Sequence, residues 1–329
     1  MRTLYLIFSH DHQEQITRLV RAIRRLSPET LIAIHHDPVR ATLDQGLFSG
    51  LSEIHVIPNP VRGEWGDYSL VEQYLHAMRW CMDNLVFDWL CTLTGLSYPI
   101  KPLHSFEDWL AKSDYDAFVY HFDAFDPEQW PKGTGERRYL FAYYKLPRFP
   151  YYYRVPAAIR EFLSRARTIF NSVQPLFRII PMPRGARTRF GIRRIRLPFG
   201  PEFKICGGRQ MLNINRRVLD RIFHFLTENP SYVAYSRRTL IPDESFFTSI
   251  VANDPDLRVC NNVLRYIKWP RDKQDAANGA VITSDDVNEV LQSGAPIALK
   301  FDTRVDPSAL DMIDAFLDMT ERRPFPQGI

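Results

Sequence analysis

The sequence predicts an α/β fold: a mixed sheet flanked by helices, with one basic segment inserted. Three observations predict it. Short apolar runs alternate with amphipathic helical stretches in the first third of the chain, the β-α-β rhythm that builds parallel sheets. Polar residues follow directly on those runs, where the ligands of such sheets sit. Between Lys132 and Lys204 the pattern breaks into Arg, Tyr and Pro, with 17 basic residues against 3 acidic ones.

The elements follow in order. Leu4 to Ser9 is a buried strand closed by His10, Asp11 and His12. Gln13 to Leu26 is a helix with Ile16, Leu19, Val20 and Ile23 on one face. Leu31 to Ile34 is a second strand, ending in His35, His36 and Asp37, and Ile54 to Ile57 a third. The Gly-punctuated loop from Arg62 to Asp67 carries Trp65 and leads into a helix over Tyr68 to Leu85. Asp88 to Thr94 is a strand, the turn Leu96 to Lys101 precedes a helix through Phe106 and Leu110, and Ala117 to Phe122 is one further strand. Residues 130–200 form the insertion, with a basic helix over Ile159 to Ile169, lying over the body without a core of its own. Lys204 to Ile214 returns to sheet, broken by Gly207 and Gly208. Arg216 to Leu226 is a helix. Leu257 to Ile267 is strand-like, Ile297 to Phe301 is a short strand, and Ala309 to Leu317 is a terminal helix.

The stretch Leu240 to Asn253 is the focal one. Pro242 fixes φ, Asp243 suits an N-cap, and Glu244 then stands at the head of a helix whose Phe246, Phe247, Ile250 and Val251 face a core. A carboxylate there also complements the helix dipole, so position alone does not separate a catalytic acid from a stabilising one.

Composition narrows the class. The chain has 329 residues, 45% hydrophobic and 24% charged, as in an ordinary globular protein, and no run of about 18 apolar residues that would cross a membrane. The apolar run at the start is too short for a leader. Four scattered cysteines without metal spacing fit a reduced, cytoplasmic setting. Net charge is +4, but the segment 132–204 carries +14 and the remainder −10. A basic arm on an acidic body suggests an anionic partner. A solvated arm, a peripheral contact of 132–204 with an anionic membrane, and the weaker nucleic-acid alternative all fit that charge. No nucleic-acid module accompanies it, so no nucleic acid is expected.

Several segments together resemble the core-2/I-branching β-1,6-N-acetylglucosaminyltransferase family, which also includes the peptide O-xylosyltransferases. They are Tyr5 to Ile7; Ile34 to Asp37, similar to the family's Ile-His-Val-Asp; Trp65 and Gly66 before a helix; Thr94 to Lys101, similar to its Ser-Gly-x-Asp-Tyr-Pro-Ile; Gly208 on its strand; Pro242 to Phe247; Leu264 to Trp269; and Ala298 to Asp302, similar to its Ala-Arg-Lys-Phe-Asp. The resemblance implies a soluble, bacterial-type member with a GT-A-like fold in one glycosyltransferase domain over 1–329. Residues 1–125 would be the nucleotide-sugar half and 201–329 the acceptor and catalytic half. It implies inverting, metal-independent transfer from UDP-GlcNAc, or alternatively UDP-xylose, to a glycan or lipid-linked glycan, with no cofactor. Glu244 would be the general base. Lys300 would contact the diphosphate, with Arg265, Lys268 or Arg271 nearby in sequence to supply a second charge, and His35, Asp37, Arg62 and Trp65 would hold the nucleotide. Tyr98, Gly208, Arg209 and Asp243 would face the substrate. Three positions depart from the pattern: Gly208 to Met211 lacks the family's Trp, Ser97 replaces an Asp, and Ala277 stands where an Arg contacts diphosphate.

Two rival signals exist. Asp114 and Asp116 spell an Asp-x-Asp metal pair, but they precede a strand instead of ending one, which favours a solvated loop. His10, His12, His35, His36 and Asp37 could imitate a zinc site at the ligand end of the sheet, giving a metal-dependent hydrolase as the second hypothesis. A non-catalytic lipid- or nucleic-acid-binding protein is the third.

Overall fold

A computed structural model of the chain describes residues 1–147, 155–183, 186–270 and 279–320. In chain order the elements are β1 (Thr3–Ser9), α1 (Gln13–Leu26), β2 (Leu31–His36), β3 (Ile54–Val56), α2 (Ser69–Asn84), β4 (Trp89–Thr94), β5 (Ser97–Pro99), α3 (Leu103–Ala111), β6 (Ala117–Phe118), β7 (His121–Asp123), α4 (Thr134–Tyr139) and β8 (Phe141–Lys145). There follow α5 (Ala157–Val173), β9 (Phe177–Ile180), β10 (Arg189–Arg193), β11 (Cys206–Gly208), β12 (Asn213–Asn215), α6 (Arg216–Glu228), α7 (Pro230–Ser236), α8 (Phe246–Ala252), β13 (Val259–Cys260), β14 (Arg265–Ile267), α9 (Val287–Gln292), β15 (Ile297–Leu299) and α10 (Ser308–Thr320).

The central sheet has the order β3-β2-β1-β4-β12-β6-β13. Strands β3, β2, β1 and β4 run parallel, β12 is antiparallel to both neighbours, and β13 is parallel to β6. The mixed α/β architecture expected from the sequence is therefore present. Alternation along β1 explains why helices cover both faces. Tyr5 and Ile7 enter one core with Ile16 and Val20 of α1 and Ile313 and Leu317 of α10; Leu4, Leu6 and Phe8 enter the other with Val71 and Met78 of α2 and Phe246 and Phe247 of α8. Because β2 and β4 lie on opposite sides of β1, the chain reverses its winding there. That opens a crevice at the strand C-termini, where open α/β sheets bind their ligands.

Three expectations need correction. Ala117 to Phe122 is not one strand: the Asn261 side chain accepts from His121 N at 2.8 Å and donates to its carbonyl at 2.9 Å, diverting the chain after Phe118 so that β7 pairs with β11. The Leu257 to Ile267 stretch likewise breaks in two, because Leu264 adopts a φ of 53° with its amide on Asn262 Oδ1. The insertion has more structure than an arm. Strands β8, β10 and β9 form an antiparallel sheet, and α5 lies alongside β9. A small cluster of Phe141, Tyr143 and Leu240 seals that sheet to the body.

Strands β14, β15 and β5 make a further small sheet beside the crevice. Phe301 N donates to Leu96 O at 2.9 Å, and Gln15 Nε2 donates to both Gly95 O and Phe301 O. These bonds fix the segment after β15 against the turn that follows β4. The described cysteines are free thiols, and no described helix is long and apolar enough to cross a membrane.

Candidate active site

Glu244 closes a 3-10 turn, Pro242–Glu244, that precedes α8. Ile241 enters the turn with a φ of 51°, and its amide donates to Gly66 O at 3.1 Å. Gly66 itself has a φ of 70°, which glycine adopts without strain. The Trp65–Gly66 loop thus holds the turn that presents Glu244. Arg138 of α4 donates to Glu244 Oε2, and its guanidinium lies 4.3 Å over the Trp130 ring. Oε1 accepts no hydrogen bond among the described residues, and the Glu244 side chain is 32% exposed. One carboxylate oxygen is held by Arg138 while the side chain keeps partial exposure, which leaves the other oxygen able to accept a proton.

Asp243 does not face substrate and is not the N-cap. Its side chain is buried, with Oδ1 unpartnered among the described residues. Burial first, and Glu244 beside it second, push its pKa up to about 7. Near neutrality it can hold a proton, which spares the turn a second adjacent charge.

A cavity of about 300 Å³ is lined by Tyr120, Arg209, Asn261, Arg265, Tyr266 and Trp269 among others, with no carboxylate in its lining, and the charge of Glu244 acts on its Arg209. Tyr120 and Asn261 stand just beyond the C-terminal ends of β6 and β13, so the cavity opens on the ligand side of the sheet. Arg265 is buried, and its guanidinium donates to Leu264 O, Thr92 O and Asn213 Oδ1 at 3.0, 3.2 and 2.9 Å. All three acceptors are neutral, and Nε has no partner among the described residues. Burial lowers the Arg265 pKa. Arg209 lies 5.1 Å from the Tyr120 ring centroid and 4.6 Å from that of Trp269. Its pKa is also lowered, by burial first, with the charges of Tyr120 and Glu244 acting the other way. Two desolvated cations without a paired carboxylate favour an anionic guest.

The remaining expected residues fall elsewhere. His35 and Asp37 sit at the C-terminal end of β2, but their polar atoms hold the chain's own loop. His35 Nε2 accepts from Val61 N at 3.1 Å, and burial with His76 nearby lowers its pKa to about 4. Asp37 accepts from Gly63 N at 2.7 Å, Gln73 Nε2 at 3.3 Å and Val39 N at 3.1 Å. They position the loop bearing exposed Arg62 and partly buried Trp65. Tyr98 is a correction. It is 1% exposed and donates to Asp314 of α10, so it packs between β5 and that helix instead of meeting substrate. Gly208 serves packing: a Cβ there would overlap the Tyr120 carbonyl and press on Thr248 of α8. Lys300 follows β15 beside the Thr94–Leu96 turn, half-buried. Arg271 lies outside the described residues.

The rival metal readings do not assemble. Asp116 accepts from Arg258 N and Asn215 Nδ2, both at 2.9 Å, at the N-terminal start of β6, the opposite end from the cavity. His36 uses both ring nitrogens, on Ser9 Oγ and Ala41 O. Among the described residues no group of three or more His, Cys, Asp or Glu side chains is arranged to hold a metal ion.

Sequence reasoning missed Arg138, Tyr120 and Asn261. The available signal for Arg138 was glycine: Gly133 with a φ of 81°, and Gly135, where a Cβ would overlap the Ala124 carbonyl, mark a short helix docked tightly against the body.

No protein-family model matches the chain, and no curated protein matches it. Among solved structures it is similar to the galactosyltransferase LgtC in complex with donor and acceptor sugar analogs. The identity is 9%, covering 97% of this chain and 95% of that one, with a TM-score of 0.38. It is also similar to a Bacillus anthracis protein assigned as a glucose-1-phosphate thymidylyltransferase, in complex with sucrose. There the identity is 9%, covering 67% of this chain and 74% of that one, with a TM-score of 0.29.

Proposed function

We propose that this chain is an inverting, metal-independent glycosyltransferase that moves N-acetylglucosamine from UDP-GlcNAc to a hydroxyl of a glycan. The observation that carries the reading is Glu244, fixed through one oxygen by Arg138, whose charge acts on Arg209 of a cavity that also holds Arg265 and no carboxylate. The motif resemblance at Pro242 to Phe247 and Ala298 to Asp302 supports it. The wording of the first motif is closer to the xylosyl branch, so UDP-xylose is the alternative donor on the same residues.

In this mechanism the acceptor hydroxyl gives its proton to Glu244 Oε1 as its oxygen attacks C1 of the sugar. The bond from C1 to the diphosphate oxygen breaks on the opposite face, so the configuration inverts. Negative charge then grows on UDP. Arg209, Arg265 and Lys300 are assigned to neutralise it. Trp65 and Arg62 are assigned to the nucleoside end, and His35 and Asp37 act through the loop they hold.

The test is calorimetric titration with UDP, UDP-GlcNAc and UDP-xylose in EDTA. Binding in the micromolar range supports the reading, and the tighter sugar nucleotide becomes the donor. Binding that appears only after Mn²⁺ is added overturns metal independence, and no binding in either condition overturns the transferase reading.

A further inference from the structure

We infer that α5 and the adjoining β9–β10 hairpin form a docking face for an anionic lipid surface. Helix α5 buries none of its residues. At 100° per residue, Ile159, Phe162, Leu163, Ala166, Ile169, Phe170 and Val173 share one uninterrupted apolar arc. Phe162 is 68% exposed, Ile169 60% and Val173 73%. The helix meets the protein along its polar edge instead, where Asn171 donates to Ile179 O at 3.0 Å and accepts from Ile179 N at 2.9 Å. The apolar arc is therefore turned away from the sheet it rests on.

Beyond Val173 the exposed apolar surface continues through Leu176 and Phe177 to Ile192, the strand partner of Phe177, and on to Ile195, which is 99% exposed. Charge selects the occupant. In 155–183 and 186–197 there are nine arginines and one acid, Glu161, paired with Arg165 at 2.6 Å. Arg189 is buried against Glu64 and Asp67, and Arg178 and Arg194 donate to carbonyls of the protein, but the other six keep the segment basic. On the helical wheel exposed Arg165 borders the outer edge of the apolar arc, while Arg160 and Arg167, partly buried, border the edge that meets the sheet. Apolar residues flanked by long basic side chains suit a helix lying in the headgroup region, its arginines reaching anionic phosphates. A protein partner would require acidic complementarity around an apolar groove. A bilayer supplies both features over any length, and α5 spans about 25 Å.

The same segment reaches the active site. Arg138 on α4 runs directly into β8 of this sheet, and Met182, just after β9, lies within contact of Gly66. Docking would present Glu244 close to the surface and select acceptors anchored in the lipid. The acceptor half of this inference rests on the transferase reading; the docking half does not.

The test sediments the full-length protein with sucrose-loaded vesicles of phosphatidylcholine alone or with about one-third phosphatidylglycerol. The expected result is roughly tenfold stronger partition onto the anionic vesicles, reduced by added salt and lost by about tenfold in a Phe162→Glu/Ile169→Glu variant. Ile195→Glu, at a fully exposed position, gives a second variant that leaves folding untouched. Failure of the parent to bind anionic vesicles overturns the inference, as does equal binding by parent and variants. So does parent self-association that the variants abolish without any vesicle binding, since it assigns the face to a second copy. UDP titration of the same samples separates the two readings. Intact UDP binding without vesicle binding rejects docking alone; vesicle binding without UDP binding rejects the transferase reading alone.

Discussion

Arg138 donates to Glu244 Oε2 across 106 positions of sequence, joining the inserted segment to the turn that carries the proposed base. Its stacking on Trp130 fixes the guanidinium plane, so the pair orients the carboxylate as well as balancing its charge. Arg138→Ala is expected to lower kcat by about a hundredfold with donor affinity changed by less than about threefold. Arg138→Lys is expected to recover only part of that loss, because an ammonium neither stacks nor fixes the plane. Steady-state kinetics on both variants check this, and an unchanged kcat would reduce the pair to a structural role.

The cations assigned to the donor make a separate prediction. Arg209→Ala and Lys300→Ala are each expected to weaken UDP by about tenfold, some 1.4 kcal/mol, through loss of a charge-assisted contact to the diphosphate. Saturating UDP is expected to raise the melting temperature of the parent but not that of Arg265→Met. Equal UDP-induced shifts in the parent and all three variants would remove these residues from the donor site.

Stability should carry a pH signature away from the site. Glu107 is held by Tyr5 OH at 2.9 Å and Ser27 Oγ at 2.7 Å, and burial pushes its pKa up to about 7 from an unfolded value near 4.5. Between those values the folded state binds more proton than the unfolded one. Stability is therefore full below the lower value and declines as pH rises to the upper one, by at most about 3 kcal/mol. Glu107→Gln keeps both hydrogen bonds and removes the titration, so its advantage in melting temperature should grow from pH 5 to pH 8. Parallel pH profiles for parent and variant would contradict this assignment.

Gly208→Ala is expected to cost about 1–3 kcal/mol. The atom in the way is the Tyr120 backbone carbonyl, which cannot swing aside as a side chain could. Thermal unfolding measures it, and a near-neutral result would mean that β7 and β11 shift together.

The central sheet was legible because its strands are buried apolar runs with helical stretches between them, and both periodicities are local properties. The placement of Glu244 in a turn before a helix was legible because of Pro242 and the apolar spacing after it. Tyr98 and Asp243 misled because a polar residue beside a motif looks the same in sequence whether it turns toward the cavity or the core. His35 and Asp37 were located correctly at the strand end, yet their partners are amides of residues 61–63, which spacing does not reveal. Arg138 and the Arg209–Trp269 contact depend on chain segments that meet only in three dimensions.

The most direct test of the account is the rate of UDP release by Glu244→Gln, with donor binding measured on the same preparation in EDTA. Glutamine keeps the shape of the side chain but cannot take the acceptor proton. The account predicts a rate lower by about 10³-fold or more, with donor affinity within about threefold of the parent. A rate within about tenfold of the parent would contradict Glu244 as the base.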